Sequence, residues 1–268
     1  MNVHEIDICG VVFSGEDGPV SFSRIMGWYD AAQVRGSGDA IPDAHGSYER
    51  AKIFREARSI TVEAGIEGDH GFRVGETSRI VSALTGQGEM RVLDESGVWV
   101  RHVEVQDVRV AESHALPYTE IVVDLLAPDP VRYTDLLTSG PAGLPVQVGG
   151  LVLPSAFPWD FGTATHPVAT VVNDGKLPIL PRVIVEGAAD SIVVRGGPRR
   201  LEFGAFSGEL VFDSRERRAW LDGVDVTRDL VRRDWPVVPA GVSQDFFFEA
   251  VDPSPDLELS VEYRIGVW

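Results

Sequence analysis

The stretch from Val171 to Gly187, V-V-N-D-G-K-L-P-I-L-P-R-V-I-V-E-G, constrains the fold of this chain more than any other. A β-branched run stops at Asn173-Asp174-Gly175, three residues that tolerate the positive φ of a tight turn. An alternating run, Val183-Ile184-Val185, resumes beyond it and ends at Gly187. Pro178 and Pro181 cannot donate to a ladder, so the segment belongs at a sheet edge or the mouth of a strand. It marks entry into an all-β module. Strand candidates follow at 168–172, 183–186, 191–194, 200–203, 209–213, 218–221, 246–249 and 257–263. Short strands at a spacing of roughly 8–12 residues, divided by turn signals, indicate a sandwich.

The half before Gly140 reads differently. Val3 to Phe13 alternates as a strand that carries Cys9, and Trp28-Tyr29-Asp30 suits another, with a short helix over 24–32 as the alternative. Residues 33–48 form a long polar loop with Gly36, Gly38, Asp39, Pro42, His45 and Tyr48, and a loop of that length is usually functional or mobile. Ile60, Val62, Ala64 and Ile66 share one face of the next strand, with Ser59, Thr61 and Glu63 on the other. The spacing predicts a helix over 75–84, capped by Thr77 or Ser78, with Ile80, Val81 and Leu84 as its apolar stripe. A hairpin over 90–100 follows, then a strand with a bulge near Gln106-Asp107, then a strand over 118–126. The Gly/Pro-rich interval at 139–150 reads as a linker between a domain at 1–138 and one at 151–268.

Bulk properties narrow the function classes. A formal net charge of −17 argues against a surface that grips nucleic acid, which needs clustered Lys and Arg. The same charge serves solubility alone, and it is also compatible with a surface past which DNA slides without sticking. One cysteine, Cys9, precludes an internal disulfide and a Cys-based zinc site, and a buried, inert thiol is expected. The first residues lack the basic flank and apolar core of a signal peptide, and no apolar run approaches the roughly 20 residues of a membrane helix.

Chemistry-bearing motifs are missing from the sequence. The six histidines are scattered, without metal-ligand spacing, and no nucleophile elbow, P-loop or dinucleotide fingerprint occurs. Asp69-His70, flanked by Gly68 and Gly71, reads as a turn rather than half a catalytic pair. Asp222, Asp225 and Asp229 lack the spacing of a calcium loop, and L-D-G-V-D-V reads as a tight hairpin. The expectation is a protein that is no enzyme and holds no cofactor and no metal.

Several local patterns occur in one order: R-S-I-T-V-E-A-G-I-E-G (58–68), S-R-I-V-S-A-L (78–84), G-V-W-V-R (97–101) and D-L-L-A-P-D-P-V-R-Y-T-D (124–135). N-D-G-K-L-P-I-L-P-R-V-I-V-E-G (173–187), E-L-V-F-D-S-R-E-R-R-A-W-L-D-G-V-D-V (209–226) and W-P-V-V-P-A-G-V-S-Q-D-F-F-F (235–248) continue it. In this order the chain resembles the distal tail proteins of long-tailed (siphovirus) bacteriophages, often described as minor tail proteins. The resemblance implies a mainly β protein: an N-terminal β-rich belt domain with one α-helix, and a C-terminal galectin-like β-sandwich.

It further implies a structural protein of the phage tail tip, synthesised in the host cytoplasm and built into the virion at the far end of the tail. Copies would assemble as a hexameric ring, joining the tail tube protein to tip, hub or fibre proteins. DNA would be a partner only in transit through the channel, and no membrane would be involved. Glu63, Glu67 and Asp69 are candidates for the channel lining. The loop of Gly36, Gly38, Asp39, Pro42, His45 and Tyr48 is the candidate ring interface. The alternative is a carbohydrate-binding module for attachment to the host surface. However, His166-Pro167-Val168 and Trp159-Asp160-Phe161-Gly162 do not reproduce the H-x-N-x-R and W-G-x-E patterns of galectins.

Overall fold

In the first half of the chain, inward- and outward-facing residues alternate along nearly every strand, and the sheet they build curls until its ends meet. The computed structural model describes residues 2–15, 18–36, 45, 53–112, 117–148, 163–165 and 167–268. Two units emerge, one running to Asp135 and including Trp268, the other Leu136–Val267.

The first unit contains β1 (Val3–Ile8), β2 (Val11–Ser14), β3 (Val20–Met26), β4 (Arg58–Glu67), α1 (His70–Ala83), β5 (Gln87–Asp94), β6 (Gly97–Glu112), β7 (Tyr118–Ala127) and β8 (Arg132–Thr134). The strand order is β8-β6-β5-β1-β2-β3-β4-β7, and β7 also pairs with β6. That last pairing closes the sheet into a barrel. Strand β6 makes closure possible: its first half pairs with β5, its second with β7, and the register shifts between Val105 and Asp107. A bulge bends and twists a strand, so one long strand can serve two partners. The predicted bulge lies at this place.

The core lies within the barrel, where Ile60, Val62, Ala64 and Ile66 of β4 meet Ile6, Ile8, Met90, Val92, Ile121 and Val123. The predicted face of β4 is therefore the inner one. Helix α1 adds Ile80 and Leu84 to this core, while Val81 is exposed.

Several expectations need correcting. The helix begins five residues early, at His70, because Asp69 caps it by accepting a hydrogen bond from the Phe72 N–H at 2.9 Å. Asp69-His70 is thus a helix start rather than a turn. Trp28-Tyr29-Asp30 forms no strand; the chain bends after Met26. Arg58 fixes that bend by donating from Nη1 to the carbonyls of Gly27, Trp28 and Asp30. Cys9 sits half-buried in the turn between β1 and β2 with a φ of 53°, outside any strand.

The second unit opens with β9 (Leu137–Ala142), β10 (Val146–Val148), β11 (Thr163–Thr165), β12 (Ala169–Asn173), β13 (Arg182–Ala189), β14 (Ser191–Gly196) and β15 (Arg199–Phe203). It continues with β16 (Phe206–Asp213), β17 (Arg218–Leu221), β18 (Val224–Asp225), β19 (Arg232–Arg233), β20 (Val242–Val251) and β21 (Glu258–Tyr263). One sheet has the order β12-β20-β14-β15-β19, a second β18-β17-β16-β13-β21-β9, and β10 pairs with β11. The two larger sheets share one core that includes Val171, Val185, Val194, Leu210, Phe212, Phe246 and Leu259. This is a β-sandwich.

The organising stretch crosses it. Strand β12 is the edge of one sheet, β13 lies inside the other, and the proline-bearing segment between them enters no ladder beyond the isolated bridge Ile179↔Val238. Asn173 is buried and holds the crossing, its amide within hydrogen-bond distance of the Leu177, Val238 and Pro239 carbonyls.

The interval expected as a linker, 139–150, differs at its start. Residues 139–142 belong to β9, which pairs with β21 at a sheet edge, where Pro141 is tolerated.

Candidate functional site

Because β4 turns its aliphatic residues inward, Thr61 and Glu63 must point out of the barrel. The neighbouring strands obey the same rule. On β7, Thr119, Ile121, Val123 and Leu125 are buried, which leaves Glu120, Val122 and Asp124 on the outside. Register places Glu63 opposite Arg24 on β3 and Val122 on β7, and Thr61 opposite Asp124. Arg109 of β6 faces Val122 from the other side. Thr61, Glu63, Arg109, Glu120, Val122 and Asp124 line an open groove of about 460 Å³ on the barrel's outer surface, with Met26 at its β3 side.

The groove is acidic. Asp124 accepts hydrogen bonds from Thr61 Oγ1 at 2.7 Å and from Arg109 Nη2 at 2.5 Å. Arg109 also lies 3.7 Å from Asp107, so one guanidinium serves two carboxylates. Glu63 and Glu120 have no ion-pair partner among the described residues. Negative charge reaches the start of β7: burial first, then the charges of Glu120 and Glu67, push the Tyr118 phenol above its ordinary pKa.

Of the predicted acidic residues, Glu63 and Glu67 lie on the outward side of β4, four positions apart. Asp69 lies past the strand and its carboxylate caps α1. Glu120 and Asp124 were missed. Their signal was present in T-E-I-V-V-D-L-L, where they alternate with aliphatics, but sequence does not reveal that this strand lies beside β4.

The predicted interface loop has a defined base. A bridge joins Val34 to Arg55, Arg35 N–H donates to the Phe54 carbonyl, and Glu56 N–H donates to that of Gln33. Exposed apolar residues gather there: Val34, Ile53 and Phe54. Gly36 (φ 71°) and His45 are exposed, and Gly38, Asp39, Pro42 and Tyr48 lie outside the described residues.

A cationic and aromatic cluster occupies another part of the first unit. Arg101 is buried over the ring of Trp28, while Arg132 lies 5.2 Å from the Tyr29 ring centroid and 4.9 Å from that of Trp99. Burial, then the charges of Arg58 and Arg132, bring the Arg101 pKa down to about 9. Asp94 accepts from Tyr29 Oη at 2.8 Å and from the Ser96 N–H at 2.8 Å. These contacts bind the β5–β6 hairpin to the bend after β3.

In the second unit, Trp220 and Trp235 are half-buried, and Trp235 packs against the sandwich core. Trp159 and His166 lie outside the described residues. No group of three or more metal-ligating side chains occurs among the described residues, and no helix there is long and apolar enough to cross a membrane.

No family model matches this sequence, and no curated protein matches it. Solved structures do. The Dit protein (gp 19.1) of phage SPP1, described as a paradigm of the hub adsorption apparatus in phages infecting Gram-positive hosts, matches with a TM-score of 0.64 at 12% identity. The match covers 98% of this chain and 99% of that one. A chain of the phage P2 baseplate in its activated conformation with calcium matches with a TM-score of 0.53 at 9% identity, over 97% of each chain. A chain of the phage P2 baseplate in its activated conformation with strontium matches with a TM-score of 0.50 at 10% identity, again over 97% of each. Both units are thus matched, in the same order and with almost nothing left over. The fold of this chain is that of a phage Dit hub protein.

Proposed function

We propose that this chain is a structural component of a phage tail tip: copies assemble into a ring, hexameric by analogy, that joins the tail tube to tip, hub or fibre proteins. The observation that carries this reading is the end-to-end match in fold to a phage hub protein, barrel and sandwich together. The first unit supplies what a ring needs. The loop base with Val34, Ile53 and Phe54 offers exposed apolar contact to a neighbouring copy. The outer face of β4 and β7, with Glu63, Glu67, Glu120 and Asp124, is the channel lining in this account. Carboxylates there repel phosphate, so DNA passes without being held. The protein acts by shape and charge, without turnover of a substrate, and resides in the virion.

Light scattering of the purified chain across a range of concentrations, followed by negative-stain microscopy, tests the assembly. Annular particles of uniform mass are expected, with the tail tube protein added where assembly depends on it. Monomers under both conditions contradict the ring.

A further inference from the structure

We propose that the sandwich carries a binding site for a phosphate-substituted sugar at a pocket floored by Ser214 and ringed by Arg199, Arg215, Arg217 and Arg233. This proposal goes beyond the structural role and does not depend on ring assembly.

Four separate segments build the pocket: Leu180 comes from the crossing between the sheets, and the other three come from both sheets. Arg199 opens β15, Ser214, Arg215 and Arg217 form the turn from β16 to β17, and Arg233 ends β19 just ahead of Trp235. Backbone hydrogen bonds fix the convergence: Ser214 N–H donates to the Pro181 carbonyl and Asp234 N–H to that of Arg200, each at 3.1 Å. Asp213 shapes the turn by accepting from the N–H groups of Arg215 and Glu216, at 2.7 and 2.9 Å. Arg217 then takes a φ of 56°, a left-handed conformation that costs an ordinary side chain about 1 kcal/mol. A turn selected only for stability would place Gly or Asn there.

Charge makes the pocket unusual. The chain has a formal net charge of −17, yet four guanidiniums line this cavity of about 310 Å³. The acidic side chain on its wall, Asp234, pairs with Arg232 at 2.7 Å, outside the lining. Glu202, nearby on β15, pairs with Arg200 at 2.7 Å. Arg199 and Arg217 have no acidic partner among the described residues. Ser214 is 2% exposed, and its Oγ has no hydrogen-bond partner among the described residues.

This donor set fits a tetrahedral oxyanion. A guanidinium presents paired N–H groups in a rigid fork that matches phosphate, and several forks around one cavity suit a group bearing more than one negative charge. The other wall is apolar: Trp235 offers a half-buried ring beside Leu180 and Val237, suited to the C–H face of a sugar. The cavity volume is at the small end of ligand pockets, enough for one sugar phosphate. A long nucleic acid fits less well, because a cavity of about 310 Å³ takes one phosphate-bearing group and leaves the other phosphates of a chain outside it.

Isothermal titration of the full chain with glucose 1-phosphate, glucose and inorganic phosphate tests the site. Saturable binding is expected for glucose 1-phosphate, with inorganic phosphate and glucose each weaker by about tenfold or more, the weight of one charge-assisted contact. The double variant Arg199→Gln/Arg217→Gln, checked for an unchanged melting temperature, should lose binding. Arg195→Gln, which disrupts an ion pair with Glu249 elsewhere, should retain it. Absence of saturable binding by the unaltered chain overturns the proposal, and so does full retention of affinity in the double variant. Equal affinity for inorganic phosphate, or displacement of the sugar phosphate by single-stranded DNA at equal phosphate concentration, overturns it as well.

Discussion

The guanidinium of Arg101 lies 4.5 Å from the ring centroid of Trp28, and both side chains are 1% exposed. None of the three guanidinium nitrogens has a hydrogen-bond partner among the described residues. The ring face therefore offsets only part of what burying the charge costs. Arg101→Met keeps an unbranched stem against Trp28 and removes the charge, so it should stabilise the first unit by about 1–4 kcal/mol in urea titrations at neutral pH. The pH dependence has a definite sign. The folded-state pKa of about 9 lies below the ordinary arginine value, so the unfolded chain binds the proton more tightly. Stability thus rises with pH above about 9, and the advantage of the variant shrinks there. A destabilised Arg101→Met would show that the cation–ring contact outweighs desolvation.

Asp94 titrates with the opposite consequence. Burial alone would raise its pKa, but hydrogen bonds from Ser96 and Tyr29 outweigh it and leave the carboxyl below its ordinary value of 3.8. Its stabilisation is fully present above the unfolded pKa and disappears as pH falls through the lower folded one. Asp94→Ala should flatten the acid limb of a stability-against-pH curve. Tyr29→Phe, which removes one donor, should flatten it less. An unchanged acid limb in Asp94→Ala rules out this role.

Asp69→Ala removes the side-chain acceptor at the start of α1 and should cost about 1 kcal/mol. Hydrogen exchange should show the loss concentrated in the first turn, at His70 to Arg73. Asp69→Asn should recover most of it, since an amide oxygen caps nearly as well. Uniform loss of protection across the barrel would instead mean that Asp69 acts through something other than the cap.

Asn173→Ala should cost at least about 2 kcal/mol, because it strands the Leu177 and Pro239 carbonyls and the Gly175 N–H that the side chain satisfies. Chemical denaturation monitored by the tryptophans of the second unit measures it. A cost within experimental error would show that the crossing between sheets is held by its prolines rather than by Asn173.

Local alternation made much of the fold legible. Ile60 to Ile66, the hairpin over 90–100 and the strands of the sandwich are written in period-two patterns that need no distant partner. Features that depend on distant partners were not legible. The bend at Trp28 is fixed by Arg58, thirty positions away, and a run of aromatic residues alone suggests a strand. Gly71 reads as part of a turn and Gly75 as the start of the helix, yet the helix runs through both, since Asp69 caps it and Arg73 ties it to the Tyr118 carbonyl at 3.0 Å. Gly140-Pro141 has the composition of a linker, but composition does not show that Leu259 and Val261 lie alongside as a pairing strand. In the candidate channel face the sequence pointed to Glu63 and Glu67. It could not add Glu120 and Asp124, because strand neighbours are set by closure of the barrel.

The central claim is that the acidic outer face of β4 and β7 lines a channel at the end of a phage tail. Cryo-electron microscopy of intact virions carrying this chain tests it most directly. The account predicts a closed ring of copies at the distal end of the tail, with Glu63, Glu120 and Asp124 facing the lumen. Those residues on the outer rim, or the chain placed elsewhere in the particle, would contradict it.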